Sequence, residues 1–162
     1  MIQKEIVTKV LEFDSESEFN KQDCDLIKIA KANINHSYSP YSKFSVSASI
    51  QLDNDEIVSG TNQENAAYPS GLCAERVAMF YANSKFPEAK PLTIAIAAYT
   101  NNDFVDVPIP PCGSCRQVLL ESEIRYQSPI RVILIGKSKI FLLENVKSLL
   151  PLSFDGDFLK AK

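Results

Sequence analysis

The sequence predicts an α/β protein, with helices packed on both faces of a sheet of about five strands. Three observations predict it. Segments with strand character alternate along the chain with segments of helical periodicity, the order from which layered α/β sheets are built. The run Leu92 to Tyr99 is almost wholly apolar, as expected of a central strand covered on both faces. The 162 residues are 45% hydrophobic and 23% charged, which suits one ordinary globular domain with a sizeable core.

Residues Ile2 to Phe13 fit a helix face through Ile2, Ile6 and Val10. They fit a strand through Val7, Lys9, Leu11 and Phe13, and the pattern does not choose. Residues 1–22 read as an N-terminal extension and 23–162 as the main domain. Asp23 to Asn35 is a predicted helix with Leu26, Ile27, Ala30 and Ile34 on one face and Asp23 as its cap. His36, the one histidine, follows at the helix end, where an imidazole suits the dipole, and Pro40 prevents continuation. Phe44, Val46, Ala48 and Ile50 alternate with Ser45, Ser47, Ser49 and Gln51, predicting a half-buried strand. Asp53 to Asp55 turns it into a hairpin with the strand from Glu56.

The polar loop Gly60 to Asn65 and the turn Pro69-Ser70-Gly71 lead to Cys73. A helix is predicted from Cys73 to Asn83, with Ala74, Val77, Ala78 and Tyr81 on one face. After the strand Leu92 to Tyr99, a proline-rich connection from Asn101 to Pro111 delivers Cys112. A helix over Cys115 to Glu123, a strand over Pro129 to Ile135 and a short strand over Ile140 to Leu142 follow. Glu144 to Leu150 reads as a short helix stopped by Pro151, and the tail carries Phe154 and Phe158.

Net charge is −3 and no lysine–arginine cluster forms a stripe, which argues against nucleic acid as a partner. The apolar runs are too short to cross a bilayer, so no membrane partner is expected. The N-terminus lacks the apolar stretch of a secretory signal. A cytoplasmic location is therefore expected, where four cysteines stay reduced and metal binding is favoured over disulfides.

Two short stretches carry the chemistry, Cys73-Ala74-Glu75-Arg76 and Pro111-Cys112-Gly113-Ser114-Cys115-Arg116. Cys112 and Cys115 have the spacing that lets two thiolates grip one metal from a turn, and Cys73 would be a third ligand. Three protein ligands leave a fourth tetrahedral position on Zn²⁺ open, the mark of a catalytic rather than a structural site. Both stretches open helices, whose N-terminal partial charge stabilises thiolates. Glu75 is placed to handle the protons of a hydrolytic water. Three thiolates on Zn²⁺ carry a net negative charge, and Arg76 is a candidate donor to the sulfurs that would offset it. Arg116 could do the same or form a surface salt bridge. Cys24, alone in the first predicted helix, reads as a free thiol.

These stretches resemble the cytidine deaminases of the small homotetrameric zinc class. The likeness also covers Tyr41-Ser42-Lys43-Phe44-Ser45-Val46, Asn62 to Tyr68, and Leu149-Leu150-Pro151 with Phe154. A cysteine-x-glutamate upstream of Pro-Cys-x-x-Cys is a signature of zinc deaminases that act on nucleobases. The resemblance implies a three-layer α/β/α fold with a mixed sheet and one zinc per chain on Cys73, Cys112 and Cys115. It implies Glu75 as proton shuttle, Asn62 and Glu64 on the ribose 3′-hydroxyl, Phe44 stacked on the pyrimidine, and the Ala74 N–H on the base carbonyl. It also implies a homotetramer in which Ala66, Tyr68 and Phe154 serve neighbouring subunits. Ser47-Ala48-Ser49 and Val77 stand where family members commonly have Gly-Ala-Ala and threonine. The implied reaction is hydrolysis of cytidine and 2′-deoxycytidine to the uridines and ammonia, as in pyrimidine salvage. Another aminopyrimidine nucleoside, or a non-catalytic zinc module, remains an alternative.

Overall fold

Seven strands form one mixed sheet in the computed structural model, which describes residues 1–159. They are β1 (Leu11–Phe13), β2 (Ser45–Leu52), β3 (Ile57–Thr61), β4 (Pro91–Thr100), β5 (Asp103–Phe104), β6 (Arg131–Ile135) and β7 (Ile140–Leu143). The order is β1-β7-β6-β4-β2-β3, with β5 pairing to the end of β4. β4 and β6 run parallel, in register from Thr93 opposite Arg131 to Ala97 opposite Ile135, while β2 meets both β3 and β4 antiparallel. Three longer helices cover the sheet: α1 (Lys21–Ala32), α2 (Ala74–Lys85) and α3 (Gly113–Tyr126). The last residues of the expected domain, 160–162, lie outside the described residues.

The three layers are read from the two faces of each strand. Ile94, Ile96, Val132 and Leu134 pack with Ala74, Ala78 and Met79 of α2 and Leu119 and Leu120 of α3. Their neighbours Ala95, Ala97, Ile133 and Ile135 pack with Leu26, Ile27 and Ala30 of α1. Strand alternation sends successive side chains to opposite layers. The continuous apolar runs of β4 and β6 thus serve two cores at once.

The sheet is wider than the five strands expected from sequence. Asn101 and Asn102 both have positive φ, 52° and 62°, which makes a tight reversal of the kind asparagine tolerates. β4 therefore folds back into the two-residue β5 instead of entering a loop. Leu11–Phe13 pairs with β7 through Leu11 opposite Leu142 and Phe13 opposite Ile140. Three residues are too few for a period to declare itself, so the sequence of the N-terminal segment left its conformation open.

Four local expectations change. Asn20, not Asp23, caps α1, its Oδ1 accepting the Asp23 N–H at 2.9 Å. The serine face of β2 is not solvent-facing: Ser47 and Ser49 are fully buried and Gln51 nearly so. Alternation alone cannot tell that this strand is second from an edge with helices on both sides. On α2 the inward face is Ala74, Glu75, Ala78, Met79 and Ala82, and Tyr81 is half exposed. The expected helix over Glu144–Leu150 is a single 3-10 turn, Val146–Leu149, capped by Asn145.

Candidate active site

Gly60 of β3 fixes how closely α2 approaches the sheet. A Cβ there would stand 2.5 Å from the Ala78 nitrogen and 2.9 Å from the Ala74 carbonyl oxygen, so no larger residue fits beneath this helix. On the other side, residues 105–106 are tied down beside Gly136. The Lys137 N–H donates to the Val105 carbonyl at 2.9 Å, and the Asp106 oxygen would lie 2.6 Å from a Cβ on Gly136. The connection that leaves this point starts α3 next to the start of α2.

Cys73 and Cys112 are the N-cap residues of α2 and α3, and neither side chain caps its own helix. Cys115 lies in the first turn of α3 and is fully buried. The sulfurs converge, with Cys73 to Cys112 at 3.7 Å and Cys112 to Cys115 at 3.4 Å, and all three lie within 4.8 Å of one another. A tetrahedral site with sulfur at 2.3 Å from zinc has edges of about 3.8 Å, so the trio fits zinc. Among the described residues no fourth histidine, cysteine or carboxylate joins the trio. Cys24 is elsewhere, on α1, its thiol donating to the Glu16 carbonyl at 3.1 Å.

Burial and the contacts among the sulfurs, Glu75 and Arg76 set the electrostatics of this centre. Glu75 is 5% exposed, and burial, reinforced by the charge of Cys73, pushes its pKa above the usual glutamate value. The bond from Cys115, with Arg76 and Cys112 also contributing, brings Cys73 down to about 5 against the opposing effect of burial. Cys115 moves upward, because it donates to Cys73 and is itself buried. Arg76 reaches the Cys73 sulfur with Nη2 at 3.9 Å, and its Nε is buried without a partner among the described residues. Burial works against the charge of Arg76, but its contacts with Cys73 and Cys115 outweigh that and raise its pKa. Arg116 takes neither expected role. Its Nε donates to the Pro111 carbonyl at 2.8 Å and its Nη1 to the Leu149 carbonyl at 2.9 Å.

A cleft of about 560 Å³ opens over this centre. Its walls include Asn62, Glu64, Tyr68, Cys73 and Arg76. Glu75, Cys115 and Ala74 are buried. Phe44 is half-buried just before β2, Ala66 is exposed and Phe154 is 58% exposed; none of these three lines the cleft. Tyr41, Ser42 and Leu72 line it although the sequence assigned them no role. The signal for Tyr41 and Ser42 was their place in the stretch Tyr41 to Val46 that carries the family resemblance. Glu64 accepts the Tyr41 and Ser42 N–H groups at 2.9 and 3.3 Å. A bond from the Ser42 side chain, together with these two backbone bonds, holds its carboxyl below the usual range.

Three convergent thiols, with a buried carboxyl beside them and a cleft above that is walled by Asn62 and Glu64, are the parts of a metal-dependent hydrolytic site. Residues 20–128 match the family described as the cytidine and deoxycytidylate deaminase zinc-binding region, and the chain belongs to this family. Its metal is zinc, one ion per chain. It is 41% identical over 96 residues to a cytidine deaminase of Halalkalibacterium halodurans, covering 59% of this chain and 68% of that protein. With a cytidine deaminase of Mycoplasma pneumoniae it shares 35% identity over 118 residues, 71% of this chain and 74% of the relative. The crystal structure of a cytidine deaminase from Burkholderia pseudomallei superposes with a TM-score of 0.69 at 31% identity. That match covers 84% of this chain and 100% of the other.

Arg76→Gln should keep zinc and lower kcat/KM about ten- to a hundredfold, the usual cost of losing a residue that orients or tunes a metal ligand. Metal analysis and a pH–rate profile check it. An unchanged kcat and profile would show that Arg76 only packs.

Proposed function

We propose that the chain hydrolyses cytidine and 2′-deoxycytidine to uridine and 2′-deoxyuridine, releasing ammonia. The observation that supports this best is the pairing of three convergent thiols and buried Glu75 with a cleft walled by Asn62 and Glu64. Cys73, Cys112 and Cys115 are the ligands of the zinc, which supplies the Lewis acidity that makes water nucleophilic near neutral pH. Glu75 takes the proton from the attacking water as oxygen adds to C4 of the pyrimidine, and passes it to N3. It then takes the proton of the C4 hydroxyl and gives it to the amine, so that the C4 carbonyl forms as the C4–N4 bond breaks and ammonia leaves. A carboxyl whose pKa is lifted by burial suits both directions of transfer. The Ala74 N–H meets the base carbonyl at the start of α2, and the Phe44 ring stacks on the base.

Asn62 and Glu64 hold the ribose 3′-hydroxyl. An ionised carboxylate only accepts, whereas an amide both donates and accepts, so together they satisfy a hydroxyl. Glu64 accepts the Tyr41 and Ser42 amides on one oxygen, Oε2, which holds its carboxylate at the cleft. Loss of cytidine ultraviolet absorbance with purified zinc-loaded protein tests the reading, with other aminopyrimidine nucleosides run in parallel. No turnover of cytidine alongside turnover of another nucleoside would move the assignment to that substrate, and none at all would leave a zinc-binding module. We place the reaction in the cytoplasm. The described helices include none long and apolar enough to cross a membrane. Residues 23–162 are the catalytic domain, and 1–22 an extension whose β1 joins its sheet.

The active unit is a homotetramer with shared sites. Leu152, Phe154, Phe158 and Leu159 are all exposed, Phe154 and Phe158 stack at 5.8 Å, and Tyr68 is 74% exposed at the cleft. Apolar groups concentrated like this mark a contact surface. Ala66 and Tyr68 complete a neighbour's pocket, and Phe154 enters one. Phe154→Ala should cut kcat/KM by roughly one to two powers of ten, the worth of an aromatic contact with a base. Mixing and reassembling Phe154→Ala chains with Glu75→Ala chains should raise activity above the weighted mean of the two. Hybrids that form without such a rise would show that Phe154 does not act across the interface.

A further inference from the structure

We propose that Asn62 is a positioning residue for the Phe44 ring, in addition to the sugar contact assigned above, on whose reading this inference rests. Its side chain bridges the backbone on either side of Ser45. Oδ1 accepts the Val46 N–H at 2.7 Å and Nδ2 donates to the Phe44 carbonyl at 2.9 Å. A third bond runs the other way, from the Asn62 N–H to the Val46 carbonyl at 3.0 Å. Three hydrogen bonds from one residue therefore fix the entry into β2, where Phe44 leaves the loop.

The loop needs such a brace. Lys43 has φ of 56°, an uncommon conformation for a residue with a Cβ. The ladder of β2 begins only at Ser45, opposite Tyr99, so Phe44 stands just outside regular pairing. The Phe44 N–H goes to the Ser42 hydroxyl at 3.0 Å, and Glu64 holds the Tyr41 and Ser42 amides on the far side of the loop. The Phe44 carbonyl is held by Asn62.

Both roles fit one amide. A primary amide has two N–H groups and two oxygen lone pairs. The backbone of residues 44 and 46 takes one of each, leaving one of each for a sugar hydroxyl in the cleft that Asn62 lines. The same side chain thus sets the position of the base-stacking ring and of the sugar, and so fixes the distance between them.

The test separates the two roles with a substrate that lacks the 3′-hydroxyl. Steady-state kcat and KM are measured on 2′-deoxycytidine and 2′,3′-dideoxycytidine for the parent, Asn62→Ala, Phe44→Ala and the double variant, with zinc content and thermal melting as controls. Where turnover of the dideoxynucleoside is slow, its inhibition constant against 2′-deoxycytidine gives the same comparison. Asn62→Ala is expected to lower kcat/KM on the dideoxynucleoside about tenfold, within the range set by base stacking. In the Phe44→Ala background the same change should cost less than roughly threefold, since residues acting through one another are not additive. Asn62→Asp, which keeps the acceptor for Val46 and loses the donor to Phe44, should repeat the pattern.

An Asn62→Ala penalty confined to 2′-deoxycytidine would overturn the proposal in favour of a sugar contact alone. Penalties that multiply in the double variant, or failure of both Asn62 variants to fold, would make Asn62 a residue of general stability. Failure of the parent to deaminate 2′-deoxycytidine would instead defeat the substrate assignment.

Discussion

Glu75→Gln should retain one zinc per chain and the parent's circular dichroism while losing nearly all turnover. The amide has the same shape and hydrogen-bonding reach but cannot carry a proton. General acid–base catalysis by one side chain is commonly worth ~10²–10⁴-fold. In the proposed mechanism Glu75 serves the attacking water, N3 and the leaving amine in turn, so the loss belongs at the upper end of that range or beyond it. In the parent, kcat/KM should fall as pH drops. The group works as a base only when ionised, and burial holds its pKa above the ordinary glutamate value, so the acid limb lies above that value. Activity of Glu75→Gln within a few-fold of the parent would remove Glu75 from the mechanism.

Cys73→Ala and Cys115→Ala should each bring zinc from one per chain toward zero, and turnover with it. Cys24→Ala should leave both unchanged. The contrast follows from where the four thiols stand. Cys73, Cys112 and Cys115 share one point at the starts of α2 and α3. Cys24 sits on α1, the helix that covers the opposite face of the sheet. Metal analysis of dialysed protein decides it, and equal zinc loss in the Cys24 and Cys73 variants would mean that Cys24 closes the site as a fourth ligand.

The metal-binding chemistry was legible because it depends on residue types at short, fixed spacings. Cys112 and Cys115 are one helical turn apart, and Cys73 and Glu75 share the start of another helix. Their convergence needed only a fold that points two helix starts at one place. The layer order was legible for a similar reason: the unbroken apolar runs of β4 and β6 can be buried only between two helical layers.

What the sequence by itself determined, then, was the alternation of elements, the trio of thiols and the glutamate among them. The tertiary structure decided what depends on partners distant in the chain. Ser47 and Ser49 became interior because α1 closes over β2. Even there one cost remains: Ser49 finds the Ser59 hydroxyl at 2.7 Å, whereas the Ser47 hydroxyl is buried without a partner among the described residues. Arg116 turned from the sulfurs to two carbonyls because Leu149, 33 residues on, comes within its reach. Asn62, a loop residue by composition, became a brace for Phe44 because β3 returns beside β2 and places its end against the start of that strand. Periodicity reports which face a residue occupies. Only the packed chain says what the other side of that face is, and that is what converts a polar residue into a ligand, a clamp or a buried cost.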